Sequence, residues 1–185
     1  MFSKRFGKSL MMAFMALFAW LATGCICWGP TTRLNVTVAL DPALRSGPDK
    51  LVGQIQVDIV AINPNEDERW RTYPMTKYWE PNDPMRKFVP LHTTTLDADK
   101  NPSQTLPATD PIWYKWLDRA NAKDPPKLYI LAQIRGRFED KPGVENRWRQ
   151  ILPLVSCRWN IEMGSPPNVR LIVKPTGLIT VTQPK

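Results

Sequence analysis

Three kinds of side chain in this sequence carry chemistry worth weighing: closely spaced carboxylates, one histidine, and tryptophans set beside cations. Glu66, Asp67 and Glu68, or Glu80 with Asp83, have the composition of an acid and base pair for cutting a glycosidic bond. No surrounding pattern lifts either group above the solvated loop acids that such runs usually are. His92 stands between Leu91 and the run Thr93-Thr94-Thr95, with no cysteine or carboxylate at the compact spacing a zinc site needs, so it reads as a strand or surface residue. No phosphate-cradling glycine loop, no Gly-x-Ser-x-Gly elbow and no dinucleotide fingerprint occurs. The residues therefore predict no enzyme, no metal and no cofactor. The tryptophans recur in Arg69-Trp70-Arg71, Arg147-Trp148-Arg149 and Arg158-Trp159. On a strand, neighbouring side chains face opposite sides, so a buried indole between exposed guanidinium groups is the plain explanation. A tryptophan platform for sugar or peptidoglycan is the sharper one.

The cysteines point elsewhere. Met1 to Lys8 holds Lys4, Arg5 and Lys8 and no acid, and Leu10 to Thr23 holds no charge at all, which is the layout of a secretion signal. At about 1.5 Å per residue that apolar run reaches roughly 21 Å, short of the ~30 Å hydrocarbon core a permanent span must cross. It ends in Leu21-Ala22-Thr23-Gly24-Cys25, which resembles the lipobox of bacterial lipoproteins. The resemblance implies cleavage after Gly24, diacylglyceryl on the Cys25 thiol and acylation of the new amino group. With each buried methylene worth ~0.8 kcal/mol, two or more chains anchor stably where one does not. The alternatives are an ordinary secretory signal with an incidental thiol at Cys25, or a short uncleaved anchor. Ile26, in place of the aspartate that in such lipoproteins often marks inner-membrane retention, leans the expectation towards the outer membrane. Cys27 and Cys157 are then left as a pair that an oxidising envelope compartment allows to bridge; two separate thiols, or a second acylation at Cys27, are the other readings.

Losing Lys4, Arg5 and Lys8 leaves 22 of the 25 basic residues against 17 acidic ones. The charges are scattered and mixed in sign, so no stripe for nucleic acid emerges. Residues 34–185 suit a single domain large enough to bury its own core. The 19 prolines, spread from Pro30 to Pro184, forbid long helices and favour many short elements.

The elements follow from periodicity. After a lipidated tether over 25–33, Leu34, Val36, Val38 and Leu40 alternate with polar or small residues, predicting a strand with one wet face. Leu51, Gly53, Ile55, Val57, Ile59 and Ala61 form one stripe of a second strand, with Gln54, Gln56 and Asp58 on the other. Asp41 to Lys50 between them is a loop longer than a tight hairpin needs. Asn63 to Glu68 is a polar turn, Trp70 to Trp79 an irregular or one-to-two-turn helical piece, and Phe88 to Leu96 an edge strand by virtue of Pro90. Asp110-Pro111 opens an amphipathic helix over Ile112 to Ala122. Strands resume at Leu128 to Ile134, Trp148 to Val155, Cys157 to Ile161 and Val169 to Val173, and a turn at Pro175-Thr176-Gly177 leads to Leu178 to Thr182. The sum is mainly β: a β-sandwich with one short amphipathic helix, preceded by the signal helix of residues 1–24.

The lipobox, the strand Ile55 to Ile62, and Leu128 to Ile134 followed by Arg147-Trp148-Arg149 together resemble the type VI secretion lipoproteins of the TssJ family. The similarity is one of element order across most of the chain beyond Cys25. The proline-rich Tyr73 to Pro90 and the insertion Glu139 to Gly143 depart from the family pattern. The resemblance implies a transthyretin-like sandwich held to the outer membrane by lipid on Cys25, facing the periplasm and docking a periplasmic protein partner as a non-catalytic scaffold of an envelope-spanning complex. In the family the loop after the first strand contributes to docking; its positional counterpart here carries Asp41, Pro42, Arg45 and Lys50. An envelope glycan-, peptidoglycan- or ligand-binding lipoprotein of the same fold is the alternative.

Overall fold

The computed structural model describes residues 33–50, 53–117, 126–133, 146–154 and 167–182. The alternation from Leu34 onward forms β1, Asn35–Leu40, with Val36 and Val38 essentially sealed from solvent. The second alternating run forms β2, Gln54–Ile62. The other strands are β3 (His92–Asp97), β4 (Ser103–Leu106), β5 (Lys127–Gln133), β6 (Arg149–Pro153), β7 (Asn168–Lys174) and β8 (Gly177–Thr182). They make two four-stranded sheets, ordered β4-β1-β7-β8 and β3-β2-β5-β6. Among the described residues only the β1–β7 pairing is parallel, and the other pairs are antiparallel.

Register carries the alternation into a shared core. Val36, Val38 and Leu40 lie opposite Val169, Leu171 and Val173 in one sheet, while Val57 and Ile59 lie opposite Ala132 and Ile130 in the other. All these side chains belong to one buried cluster. Each fully buried Val, Leu or Ile stabilises the fold by about 1.5–3 kcal/mol relative to exposure, so this layer between the sheets is what sets them face to face. The mainly β sandwich expected from periodicity is the fold observed. β3 does lie at a sheet edge, although Pro90 precedes the strand rather than belonging to it.

Two features differ from expectation. The strand β4 was not foreseen: of its four residues only Leu106 is buried, so it carries almost no apolar pattern. The segment after β2 is also more helical than a turn and one helical piece. It comprises a 3-10 turn at Pro64–Glu66 followed by α2 (Asp67–Thr72), α3 (Met75–Tyr78) and α4 (Pro84–Lys87). Pro64, Pro74 and Pro84 each sit where a new piece begins, since proline suits a first helical turn and stops the preceding one. Trp70, Met75, Tyr78 and Met85 from these pieces are buried, and the ring of Trp70 meets Tyr129 of β5 at 5.9 Å. The second sheet is therefore covered on both faces.

That cover accounts for a correction. Asp58, placed by alternation on the polar stripe of β2, is fully buried. Its carboxylate accepts from Arg86 Nε at 2.7 Å, Tyr78 Oη at 3.0 Å and Thr93 Oγ1 at 2.7 Å. A charge out of water persists only when paired and hydrogen-bonded, and these three groups, drawn from α3, α4 and β3, supply that.

The helix opened by Asp110-Pro111 is α5, Ile112–Leu117. Asp110 Oδ1 accepts from the Ile112 amide at 2.8 Å, as a cap should. Trp113 and Trp116 are its buried face and meet edge to face at 5.0 Å. Residues 118–122 of the expected helix, the strand expected at Cys157 to Ile161, and the insertion Glu139 to Gly143 lie outside the described residues. The β7–β8 hairpin turns at Pro175-Thr176 as expected. Gly177 packs so closely on Arg147 that a Cβ would stand 2.8 Å from its carbonyl oxygen, which is why glycine opens β8.

Candidate functional site

Following the strands in chain order sorts every connection to one of two ends of the sandwich. β1 starts, β2 stops, β3 starts, β4 stops, β5 starts, β6 stops, β7 starts and β8 stops at one end, which we call the tether end because the chain enters the body there at Arg33. At the opposite, loop end, β1 stops at Leu40 and the connection to β2 begins.

Asp41, Pro42, Arg45 and Lys50, the residues singled out for partner contact, all lie at the loop end. Asp41 accepts from the Ala43 amide at 2.9 Å and caps α1, Pro42–Arg45, with Pro42 at its first position. Leu44 is buried and pins the segment, while Arg45 faces solvent. Lys50 Nζ pairs with Asp99 at 3.0 Å, tying the far side of the connection to the β3–β4 turn. The expected loop is thus a platform anchored by the Asp41 cap, the buried Leu44 and the Lys50–Asp99 pair.

Of the candidate acids Asp67 and Asp83 are structural, while Glu66, Glu68 and Glu80 are exposed. Asp67 Oδ2 accepts from Lys127 Nζ at 2.6 Å and its Oδ1 from Tyr129 Oη at 2.6 Å, clamping α2 to β5. Asp83 caps α4 through the amides of Met85 and Arg86 and accepts from Tyr73 Oη at 2.6 Å. The Asp83 carboxylate, with burial adding to it, pushes the Tyr73 phenol up to about 12. Burial raises the Tyr78 phenol well above its usual range, reinforced by the charge of Asp58. Glu66 lines a cleft instead. His92 opens β3 opposite Ile59, a strand residue as expected.

Burial opposes ionisation of Asp67, but the hydrogen bonds from Lys127 and Tyr129 and the charges of Lys127 and Arg71 outweigh it and hold the carboxyl below 3.8. A depressed folded pKa stabilises the native state above the unfolded value and is lost as pH falls through the folded one. The urea midpoint should therefore drop as pH is lowered below about 3.8, and Asp67→Asn should flatten that acid limb while lowering the neutral-pH midpoint. An acid limb as steep in Asp67→Asn as in the unmodified protein would show that this clamp is not a source of the pH dependence.

The tryptophans are the clearest outcome. Trp70, Trp79, Trp113, Trp116 and Trp148 are all buried, so no indole platform stands among the described residues. Arg69 and Arg147 are exposed beside buried indoles, but strand alternation is not the cause, since Arg69-Trp70-Arg71 lies in α2 and Arg147-Trp148 in the turn before β6. Arg149 departs from the plain reading: it is 9 % exposed and donates to the backbone carbonyls of Arg71 and Tyr73, fastening the helical cover to β6. Sequence alternation gave no sign of that role. Cys25, Cys27 and Cys157 lie outside the described residues.

At the tether end, Asn35 binds three neighbours: its amide donates to Pro167 O at 2.9 Å, its Nδ2 to Asn168 Oδ1 at 2.9 Å, and its Oδ1 accepts from the Ala108 amide at 2.8 Å. The Arg33 guanidinium lies 4.0 Å over the exposed ring of Tyr114. A cleft of about 400 Å³ is lined by the polar Asn63, Asn65, Glu66 and Arg69 and by the apolar Trp70, Met85, Phe88 and Val89.

No protein-family model and no curated protein matches this sequence. Among solved structures the chain is similar to Serratia marcescens Lip, a membrane-bound component of the type VI secretion system, at 10 % identity and a TM-score of 0.48, over 82 % of this chain and 98 % of that one. It is similar to the type VI secretion lipoprotein TssJ1 of Pseudomonas aeruginosa, at 13 % identity and a TM-score of 0.42, over 84 % and 100 %. It is also similar to a chain of a type VI membrane complex, at 15 % identity and a TM-score of 0.46, over 82 % and 98 %. The chain resembles the TssJ lipoproteins. The segment Asp41 to Lys50 is built at the end of the body remote from Arg33.

Proposed function

We propose that this protein is a membrane-tethered, non-catalytic docking lipoprotein of the bacterial envelope, working as a scaffold subunit of the type VI secretion kind. One observation carries the reading: the point where the chain enters the body, Arg33, and the anchored platform Asp41 to Lys50 lie at opposite ends of the six-residue strand β1. A body held by lipid on Cys25 presents that platform away from the bilayer, where a periplasmic partner reaches it. The commitment of Asp58, Asp67 and Asp83 to structural hydrogen bonds supports a scaffold over a hydrolase. The lipobox-like run Leu21 to Cys25 and the order of elements support the lipoprotein and type VI parts of the reading. Ile26 in place of aspartate supports an outer-membrane location facing the periplasm.

Mass analysis of the mature N-terminus should find an acylated Cys25, and Cys25→Ala should accumulate as an unprocessed precursor that takes up no palmitate. Normal palmitate labelling of Cys25→Ala overturns the anchoring. For docking, Arg45→Glu changes an exposed side chain on the platform and should weaken capture of the periplasmic part of an inner-membrane secretion component without shifting the thermal midpoint.

A further inference from the structure

We infer that the tether end is a seat for the bilayer surface: the body rests on anionic phospholipid headgroups through Phe88, Tyr114, Val181, Arg33 and Lys115. This deepens the anchoring reading and rests on it for the position of the membrane. Among the described residues four large hydrophobic side chains are exposed, and three of them, Phe88 at 77 %, Tyr114 at 53 % and Val181 at 55 %, belong to this one end. Phe88 precedes Pro90, whose carbonyl accepts from Trp116 Nε1 of α5 at 2.7 Å. Tyr114 is on α5 itself, and Val181 sits one residue before the end of β8. They are separate points rather than one groove, an arrangement suited to a flat surface more than to a single ligand.

The occupant follows from where the chain leaves the body. Cys25 to Arg33 spans at most about 28 Å fully extended, so lipid on Cys25 keeps Arg33, where the chain enters this end, within that distance of the bilayer. Tyrosine suits the headgroup level because its ring is apolar and its hydroxyl stays wet. Arg33 stacks on that ring, and Lys115 is its exposed neighbour. The acid beside them, Asp110, already accepts from the Ile112 amide. The base beneath is rigid, since Trp113 and Trp116 are buried and their indole N–H groups bond Pro107 O and Pro90 O. Each cation brought to an anionic leaflet favours the seated state by roughly fivefold, and Arg33 with Lys115 by roughly twenty-fivefold.

Hydroxyl-radical footprinting of the full mature chain, purified from its own envelope and placed on vesicles of phosphatidylethanolamine and phosphatidylglycerol, tests the seat. Oxidation of Phe88 and Tyr114 should fall by about tenfold relative to the same chain without vesicles, while Tyr73, on the cover near β6, keeps its reactivity. Arg33→Gln with Lys115→Gln should restore most of it. Unchanged oxidation in a chain that floats with vesicles and carries acyl mass on Cys25 overturns the seat and leaves the anchor standing. Protection with an unmodified Cys25 upholds the seat and removes the anchor. Protection that needs no vesicles and grows with protein concentration overturns the seat in favour of a second copy of the chain.

Discussion

Replacing Arg86 with methionine should lower the stability of the folded body by about 3–5 kcal/mol, because it strips the cationic partner from a carboxylate that has no route to water. Asp58 is fully buried, whereas the Arg86 side chain keeps 27 % of its surface exposed. The two partners therefore differ when orphaned. In Asp58→Asn the guanidinium can turn towards solvent and retain its place over the Trp79 ring, 4.8 Å away. In Arg86→Met the sealed carboxylate keeps only the neutral donors Tyr78 and Thr93. Urea unfolding should rank Arg86→Met well below Asp58→Asn. For a domain of this size each kcal/mol shifts the thermal midpoint by about 2–4 °C, so a loss of roughly 10 °C is the scale expected. Combining Asp58→Leu with Arg86→Met should recover much of that loss, since an apolar pair replaces a buried ion pair at little cost. A midpoint for Arg86→Met within about 1 kcal/mol of the unmodified protein would contradict the account of how the helical cover is held.

Trp113→Ala should cost a similar amount, about 3–5 kcal/mol, by a different mechanism. Its ring is fully buried, it packs edge to face on Trp116 at 5.0 Å, and its N–H donates to Pro107 O at 3.0 Å. Truncation removes the packing and leaves the Pro107 carbonyl without that donor. The near-ultraviolet dichroism of the aromatic pair should collapse with it. Trp113→Phe keeps most of the volume and should lose far less. A guanidinium midpoint for Trp113→Ala equal to that of Trp113→Phe would mean that α5 is not packed as described.

Periodicity made much of the architecture legible. The alternation at Leu34 to Leu40, Ile55 to Ala61 and Val169 to Val173 reports one buried face of a strand, and the cap at Asp110 with apolar residues at helical spacing reports α5. Asp58 was not legible, because alternation says which residues share a face and not what covers that face. The signal that could have found it lies in β5: Leu128 to Ala132 is an unbroken apolar run, as strands buried on both faces are, and β5 pairs with β2. Trp70, Met75, Tyr78 and Met85, more apolar bulk than a surface turn needs, were the matching half of that signal. Ser103 to Leu106 was not legible because only Leu106 of its four residues is buried, while the Thr37–Thr105 hydroxyl contact at 2.9 Å that helps tie it to β1 joins polar residues with no periodic signature. The segment Asp41 to Lys50 was legible as a connection after the first strand, but its anchoring depends on the burial of Leu44 and on the Lys50–Asp99 pair, which couples residues from different connections.

The parallel pairing of β1 with β7 has a kinetic consequence. Asn35 and Asn168 touch although 133 positions separate them, and a chain made from its amino end exposes β1 long before its neighbour exists. Closing so large a loop precedes any reward from the contact, which places the body among slow folders dominated by non-local pairing. Until residues 168 to 174 arrive, the nascent chain carries an open edge rich in valine and leucine, the kind of surface that pairs with other chains. A holding chaperone that occupies this edge should raise the yield of refolding, and circular permutation that joins the β7–β8 hairpin ahead of β1 should speed it.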